Sequence, residues 1–127
     1  MPYRVIWESN HAVWTKFSGV VTYAEVLGAT NAFYGDPRCD TAQCAFWDFT
    51  DIDGFVVDGS EVEEMAFVDH VASLYMRPLK SAFVLRDPAL LELAEQYVAQ
   101  MRELGSPWQN RIFGTMDEAR QWAMPES

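Results

Sequence analysis

Residues 48–64, DFTDIDGFVVDGSEVEE, hold the side chains in this chain that are best able to do chemistry. The segment contains seven carboxylates and neither Lys nor Arg. Clustered carboxylates can supply a nucleophile and an acid/base pair, ligate a hard cation, or face a protein partner. Ser60 adds a hydroxyl that could carry a phosphate at the start of a helix. Which of these four roles applies depends on the strands and helices that position the groups.

The stretch 51–54, Asp-Ile-Asp-Gly, resembles the nucleophile motif of haloacid-dehalogenase-like phosphatases. The resemblance implies that Asp51 attacks phosphorus and Asp53 acts as acid/base, with Mg²⁺ between them, while Asp58 matches a common downstream acid. Lys80 is the residue available to steady a phosphoryl group. However, three residues separate the motif from the preceding apolar run, and no acidic pair follows a later strand. A Mg-dependent phosphatase is therefore the third hypothesis, and a non-enzymatic protein is expected.

The other chemical readings of the segment fit its residues less well. A calcium loop centred on Gly54 would place Phe49 and Ser60 where acidic ligands are needed. Ser60 with Glu63 matches a capping box, so Ser60 is predicted as a helix N-cap rather than as a phosphorylation switch. No metal site and no cofactor are predicted.

The composition excludes several classes of partner. The formal net charge is -10, with nine basic residues scattered along the chain, so neither nucleic acid nor an anionic membrane surface is an expected partner. Cys39 and Cys44 are too few for a structural zinc site, and Cys44 is predicted to be a buried thiol. No apolar run approaches the roughly 18 residues of a membrane helix, and the N-terminus lacks the apolar core of a signal peptide. We therefore expect a cytoplasmic protein without stable membrane insertion, folded as a single domain over residues 1–127.

The hydrophobic patterns predict alternating strands and helices around this segment. Strands are predicted at YRVIWE and HAVWTKF, which form an antiparallel hairpin, and then at CAFWDF, SAFVLR and NRIFG. Helices are predicted after capping boxes at Thr22, Ser60 and Thr115, and after the Asp-Pro pair at 87–88. An acidic loop is predicted between CAFWDF and the helix at Ser60, which is expected to end near Met76. The helix after the Asp-Pro pair is predicted to carry one apolar stripe, which consists of Leu90, Ala94, Tyr97, Met101 and Leu104. The order β-β-α-β-α-β-α-β-α predicts an α/β fold with a mainly parallel sheet and helices packed on it. Gly28 within the first helix is expected to allow close packing against the sheet.

The whole chain resembles the SpoIIAA-like family of small bacterial proteins, often labelled STAS/SEC14-domain. The resemblance depends on FSGVVTYAEVLGATNAFYGDPRCD, AFWDFTDIDGF, SAFVLRDPALLELAEQYV and PWQNRIFGTMDEARQWA, in this order and spacing. It implies a sheet with helices packed against it, as in anti-sigma-factor antagonists. It implies little chemistry, because most members of the group have no assigned activity.

Two non-enzymatic functions follow as the leading hypotheses. The first is a STAS-like regulatory module that acts through protein contact, as a homodimer or with another regulator. Its predicted surface consists of Asp51, Asp53, Asp58, Ser60, Glu61 and Glu64. The alternative is a carrier or sensor of a small apolar ligand, with Trp47 and Arg86 as candidate pocket residues. A carrier is expected to enclose an apolar pocket of a few hundred Å³.

Overall fold

A computed structural model describes residues 3–124 as strands and helices around one sheet. The strands are β1 (Tyr3–Trp7), β2 (Ala12–Thr22), β3 (Cys44–Val56), β4 (Lys80–Val84) and β5 (Gln109–Phe113). The helices are α1 (Tyr23–Tyr34), α2 (Gly59–Ser73), α3 (Pro88–Leu104) and α4 (Met116–Ala123), with a short 3₁₀ turn at Pro37–Asp40. The predicted α/β class and order of elements are confirmed.

The strands lie in the order β1-β2-β3-β4-β5. β1 and β2 are antiparallel, and every later pair is parallel, so the predicted hairpin and mainly parallel sheet are confirmed. Each crossover from β2 onward moves one strand further in the same direction. Because such crossovers are right-handed, their helices fall on the same face of the sheet. α1, α2 and α3 therefore share one face, and α4 packs on the other with β3, β4 and β5.

Alternating residues of the central strands divide the core between these two faces. Val13 and Ala45 point toward α1–α3, where they pack with Phe33 and Met101. The neighbouring residues of the same strands point toward α4; they pack around Ala119 and include Ala12, Cys44, Phe46, Ala82 and Val84. Both faces of the central strands are covered, which explains why their sequences are apolar almost throughout.

The acidic segment is a strand where the sequence predicted a loop. β3 continues to Val56, because residues 51–56 pair with residues 18–22 of β2. The register between β2 and β3 shifts on both sides of the pairs that Ser18 and Gly19 form, each time with one extra residue on β3, as at a β-bulge, and Gly19 opposite them adopts a φ of 69°. Residues 18–22 and 51–56 thus form a two-stranded ribbon that extends past the end of β4, which pairs with β3 only as far as Asp48.

The start of α2 also differs from the predicted capping box. Asp58 is the N-cap: its Oδ1 accepts from the Glu61 backbone N–H at 2.9 Å, and Glu61 Oε1 accepts from the Asp58 N–H at 2.9 Å. Ser60 lies in the first turn and donates its hydroxyl to Asp58 Oδ1 at 2.8 Å. The helix ends at Ser73 rather than near Met76. The predicted caps at Thr22 and Thr115 are confirmed.

Candidate functional site

A cavity of about 70 Å³ lies between the sheet and the three helices on its first face. Its floor is made by side chains of β3 and β4, and its walls by α1, α2 and α3. The lining is almost wholly apolar and aromatic; it includes Val26, Phe33, Trp47, Phe49, Phe55, Val62, Met65, Phe83, Leu85, Leu90, Tyr97 and Trp108. Within the described part of the chain, no Lys, Arg or His lines it. The site can therefore receive an apolar molecule and offers no cation to an anionic one.

The inner face of the two-stranded ribbon contributes Phe55 to the lining of this cavity. Phe55 packs edge-on against Phe49, with ring centroids 5.8 Å apart, and Phe49 stacks on Phe17 at 4.4 Å. The register shifts between β2 and β3 interrupt the alternation of side chains here, so Ile52 packs in the same cluster as Phe49 and Phe55, while Asp51 and Asp53 are exposed on the outside. The ribbon therefore has an aromatic inner face and an acidic outer face.

One carboxylate, Asp69 of α2, lies in the cavity wall and is only 7% exposed. Its Oδ1 accepts a hydrogen bond from Tyr34 Oη of α1, and its Oδ2 accepts from Tyr97 Oη of α3, both at 2.7 Å. The three side chains join the three helices that surround the cavity. We call this group the tyrosine clasp.

Burial sets the protonation behaviour of the clasp. Desolvation raises the pKa of Asp69, although the two tyrosine hydrogen bonds favour its charged form and act in the opposite direction. The pKa values of Tyr34 and Tyr97 are also raised, first by burial and then by the nearby Asp69. Both tyrosines therefore remain hydrogen-bond donors at neutral pH.

Two further residues with polar groups, Ser81 and Trp108, line the cavity from the sheet side. Trp47 Nε1 donates to Ser81 Oγ at 3.0 Å, which leaves the Ser81 hydroxyl proton available to another acceptor. Trp108 is 8% exposed, and its indole Nε1–H is buried with no acceptor among the described residues. A buried donor without an acceptor costs about 1–3 kcal/mol. A ligand with an acceptor oxygen could remove that cost.

The predicted site residues are distributed over separate environments. Asp48 is buried toward α4, where its Oδ2 accepts from Trp14 Nε1 at 3.0 Å and its Oδ1 from the Thr50 hydroxyl at 2.7 Å. The remaining six carboxylates lie on the ribbon or in α2: Asp51 and Asp53 on the outer ribbon, Asp58 and Glu61 in the cap, and Glu63 and Glu64 exposed on the helix. Much of the charge density has local structural causes, because charges on a strand edge also discourage edge-to-edge pairing.

The residues required by the phosphatase hypothesis do not meet. Lys80 pairs with Cys44 at the beginning of β3, and its Nζ donates to the Trp122 carbonyl at 3.3 Å. Seven residues of strand separate Cys44 from Asp51, which corresponds to roughly 23 Å. Cys39 and Cys44 are both buried free thiols. Residues 3–124 contain no group of three or more His, Cys, Asp or Glu side chains arranged to hold a metal.

Of the two predicted pocket residues, the structure places one at the cavity. Trp47 forms part of the floor. Arg86 is exposed and donates from Nε to the Gly114 carbonyl at 3.1 Å, so it does not line the cavity. The other tryptophans are elsewhere apart from Trp108: Trp7 stacks on Phe33, and Trp122 packs on Phe113 at the opposite face.

The sequence analysis did not identify Asp69 or Tyr34 as site residues, and it did not single out Trp108 among the tryptophans as a cavity residue. A signal for Asp69 was present, because Val62, Ala66, Asp69 and Ser73 follow at intervals of four, three and four residues. This spacing places Asp69 on the buried stripe of α2. Tyr97 was predicted within the buried stripe of α3, and its burial is confirmed. Leu104, assigned to the same stripe, is exposed, so that assignment was wrong.

Comparison with protein-family models, with curated proteins and with solved structures finds no significant match to this chain. The resemblance to the SpoIIAA-like family therefore stays a prediction. No helix within residues 3–124 is long and apolar enough to cross a membrane.

Proposed function

We propose that this protein is a non-enzymatic carrier or sensor that binds a small, neutral, largely apolar molecule between its sheet and α1–α3. The observation that carries the proposal is the apolar cavity of about 70 Å³, whose lining includes Trp108, a residue with a buried indole N–H that has no acceptor among the described residues. Protein interiors are normally close-packed, and such a void costs roughly 2 kcal/mol at ~24 cal/mol per Å³. A bound molecule would offset this cost, and an acceptor oxygen that reached the Trp108 indole N–H would satisfy it.

The charge of the lining supports a neutral ligand. Asp69 is the one carboxylate among the described residues of the wall, and a fatty-acid or phosphate group beside it would be repelled, since no Lys, Arg or His of these residues lines the cavity to compensate. A cationic ligand would have to compete with Tyr34 and Tyr97 for the two carboxylate oxygens. The free donors at Trp108 and Ser81 instead suit one acceptor oxygen, such as that of a ketone, aldehyde or ether.

The size of the cavity limits the ligand further. The cavity volume of about 70 Å³ is smaller than the few hundred Å³ expected for a carrier, although it exceeds the roughly 10–15 Å³ required for one water several times over. A ring of five or six atoms with one polar group is therefore the proposed upper limit without movement of α1 or the ribbon.

A series of probes with the same ring and different head groups tests this proposal. We expect cyclopentanone to bind most tightly, cyclopentane less tightly, and cyclopentylamine and cyclopentanecarboxylate least. Binding can be followed by tryptophan fluorescence, since Trp47 and Trp108 line the cavity, and by ligand-observed NMR. If none of the four probes binds, or if the carboxylate binds best, the proposal is wrong.

A matched pair of tryptophan variants locates the binding. Trp108→Phe keeps an aromatic ring and removes the indole N–H, so we expect it to lose the preference for cyclopentanone over cyclopentane. Trp122→Phe makes the same change on the opposite face of the sheet, where Trp122 packs with Phe113, and should retain the preference. Equal effects of the two variants would contradict the assigned role of Trp108.

Protein contact, the function first expected from the sequence, is the second candidate. The observation that favours it is a set of exposed large apolar residues on α2 and the turn after it: Phe67, Val68, Val71, Leu74 and Tyr75. Glu64, from the originally predicted surface, lies one turn before this patch. The SpoIIAA-like regulatory role itself remains an expectation from the sequence.

A further inference from the structure

The outer side of α2 carries half of the exposed large apolar residues in the described chain. Ten such residues are exposed, and five of them lie between positions 67 and 75. Phe67, Val71 and Leu74 follow at intervals of four and three residues, so they form one stripe, with Val68 and Tyr75 beside it. We call these five residues the α2 patch. Tyr75 is 86% exposed, far from the burial usual for an aromatic side chain.

We propose that the α2 patch is the interface through which two copies of this chain form a symmetric dimer. The proposal rests on protein contact as the second candidate function and is independent of the cavity, which lies on the inner side of α2. Burial of apolar side chains supplies the driving force. A second copy is the chosen occupant because the patch and its charged ends are arranged to be complementary to themselves.

In an antiparallel pair of α2 helices, the apolar residues of one patch face those of the other. In a two-fold interface, the same surface is used by both copies. If the axis passes beside Val71, Phe67 of one copy faces Tyr75 of the other, and Val68 faces Leu74. The two ends of each patch therefore meet opposite ends of the partner.

The charges at the ends of the patch favour the same antiparallel arrangement. Glu63 and Glu64 are exposed one turn before Phe67, and Arg77 is exposed just beyond Tyr75. With the axis at Val71, Glu64 lies toward the end of the second copy that carries Arg77, in the chain that follows α2. Among residues 3–124, Arg77 forms no ion pair, so it is available for that contact. A parallel pairing would instead place the like carboxylates of the two copies together, against a net charge of -10 on each chain.

Mass measurement across a concentration series tests the interface. We expect a concentration-dependent dimer by native mass spectrometry and by light scattering after size-exclusion chromatography. Val71→Glu would bury an unpaired carboxylate at the axis and weaken dimerisation by roughly a hundredfold. Leu74→Glu is the second disruptive variant and should act in the same direction. Val56→Glu, at a 62% exposed residue on the ribbon, is the matched control and should leave the dimer unchanged.

A charge exchange tests the orientation of the two helices. Glu64→Arg should weaken the dimer by roughly fivefold, because it places two arginines together, and the double variant Glu64→Arg/Arg77→Glu should restore it. Circular dichroism verifies that each variant is folded.

Three results would overturn the inference. A wild-type chain that is monomeric throughout the series excludes the dimer, even if the patch then binds a cationic partner, which would leave protein contact standing. A dimer that survives both Val71→Glu and Leu74→Glu places the interface elsewhere. A dimer that Glu64→Arg leaves unchanged, or that the double exchange fails to restore, contradicts the antiparallel register.

Discussion

Tyr97 Oη donates a 2.7 Å hydrogen bond to Asp69 Oδ2, and both residues line the same apolar cavity. Tyr34 completes the tyrosine clasp from the other side. Each of the three side chains comes from a different helix, so the clasp fixes the spacing of α1, α2 and α3 around the cavity. A buried carboxylate with both oxygens satisfied is costly to form and more costly to break, since removal of one partner leaves the others unpaired in an apolar wall. The hydrogen bonds of the clasp therefore hold the walls of the cavity at fixed positions.

The raised tyrosine pKa values predict a loss of stability at alkaline pH. The pKa of Tyr97 in the folded protein lies well above its unfolded value of about 10. A folded pKa above the unfolded one means that the stability contribution is fully present below pH ~10 and is lost as the pH rises further. We expect the free energy of unfolding to fall above pH ~10 by up to roughly 1.4 kcal/mol per pH unit from Tyr97.

Denaturant unfolding of two phenylalanine variants at several alkaline pH values tests that prediction. Tyr97→Phe removes the ionisable hydroxyl and should make the alkaline decline shallower. Tyr75→Phe, at the exposed α2 patch, should leave the decline unchanged. Parallel curves for wild type and Tyr97→Phe would contradict the prediction.

Asp69 gives the corresponding effect at acidic pH. Because its pKa in the folded protein is raised, its contribution to the free energy of unfolding is fully present below pH ~4 and is lost as the pH rises through the folded pKa.

The order of elements was predictable because capping residues, prolines and apolar periodicity agree along most of the chain. The acidic segment was not, because Asp51, Asp53 and Gly54 are poor strand formers and typical of turns. Pairing with residues 18–22 overrides this local preference, and the two aspartates fit because they face outward from the ribbon. The alternation of Asp51, Ile52 and Asp53 was the available sign of a strand.

The cap of α2 was misplaced by two residues for a related reason. Ser60–Glu63 and Asp58–Glu61 both have the spacing of a capping box, so the sequence pattern alone does not separate them. Gly59 fits both assignments: it is the first helical residue if Asp58 is the N-cap, and the residue before the N-cap if Ser60 is. The structure selects Asp58, whose pKa is lowered, first of all by the hydrogen bond from the Glu61 backbone N–H.

A pair of alanine variants measures the choice of cap directly. Asp58→Ala removes the acceptor for the Glu61 N–H, and we expect it to lower the Tm by a few degrees. Ser60→Ala removes only a hydroxyl that donates to Asp58, and it should change the Tm much less. Thermal unfolding followed by circular dichroism compares the two. A larger loss for Ser60→Ala would contradict the assignment of Asp58 as the N-cap.

The cavity site was predictable only in part, because it is assembled by contacts between distant elements. Trp47 and Tyr97 could be assigned to apolar stripes, but their meeting with Asp69 depends on how α2 and α3 sit on the sheet. An aspartate within a helix is usually solvated. Its burial here follows from two tyrosines that lie 35 and 28 positions away in sequence, and no local pattern specifies such partners.

Gly28 was predicted to permit close packing against the sheet, and the structure confirms a close approach to β1. A Cβ at Gly28 would lie 2.8 Å from Tyr3 Oη, closer than real Cβ contacts occur, whereas the nearest ring carbons would be at 3.5 Å. Alanine is the better helix former by about 1 kcal/mol. We nevertheless expect Gly28→Ala to destabilise the wild type by roughly 1–2 kcal/mol, because Tyr3 or α1 must shift.

The same contact predicts that Tyr3→Phe rescues Gly28→Ala. Removal of the Tyr3 hydroxyl leaves only contacts of ordinary van der Waals length, so the helix preference of alanine should then dominate. In the Tyr3→Phe background, Gly28→Ala should be neutral or stabilising by up to about 1 kcal/mol. Denaturant unfolding of the wild type, both single variants and the double variant gives the coupling between the two positions. If the two changes are additive, the hydroxyl of Tyr3 is not what requires glycine at position 28.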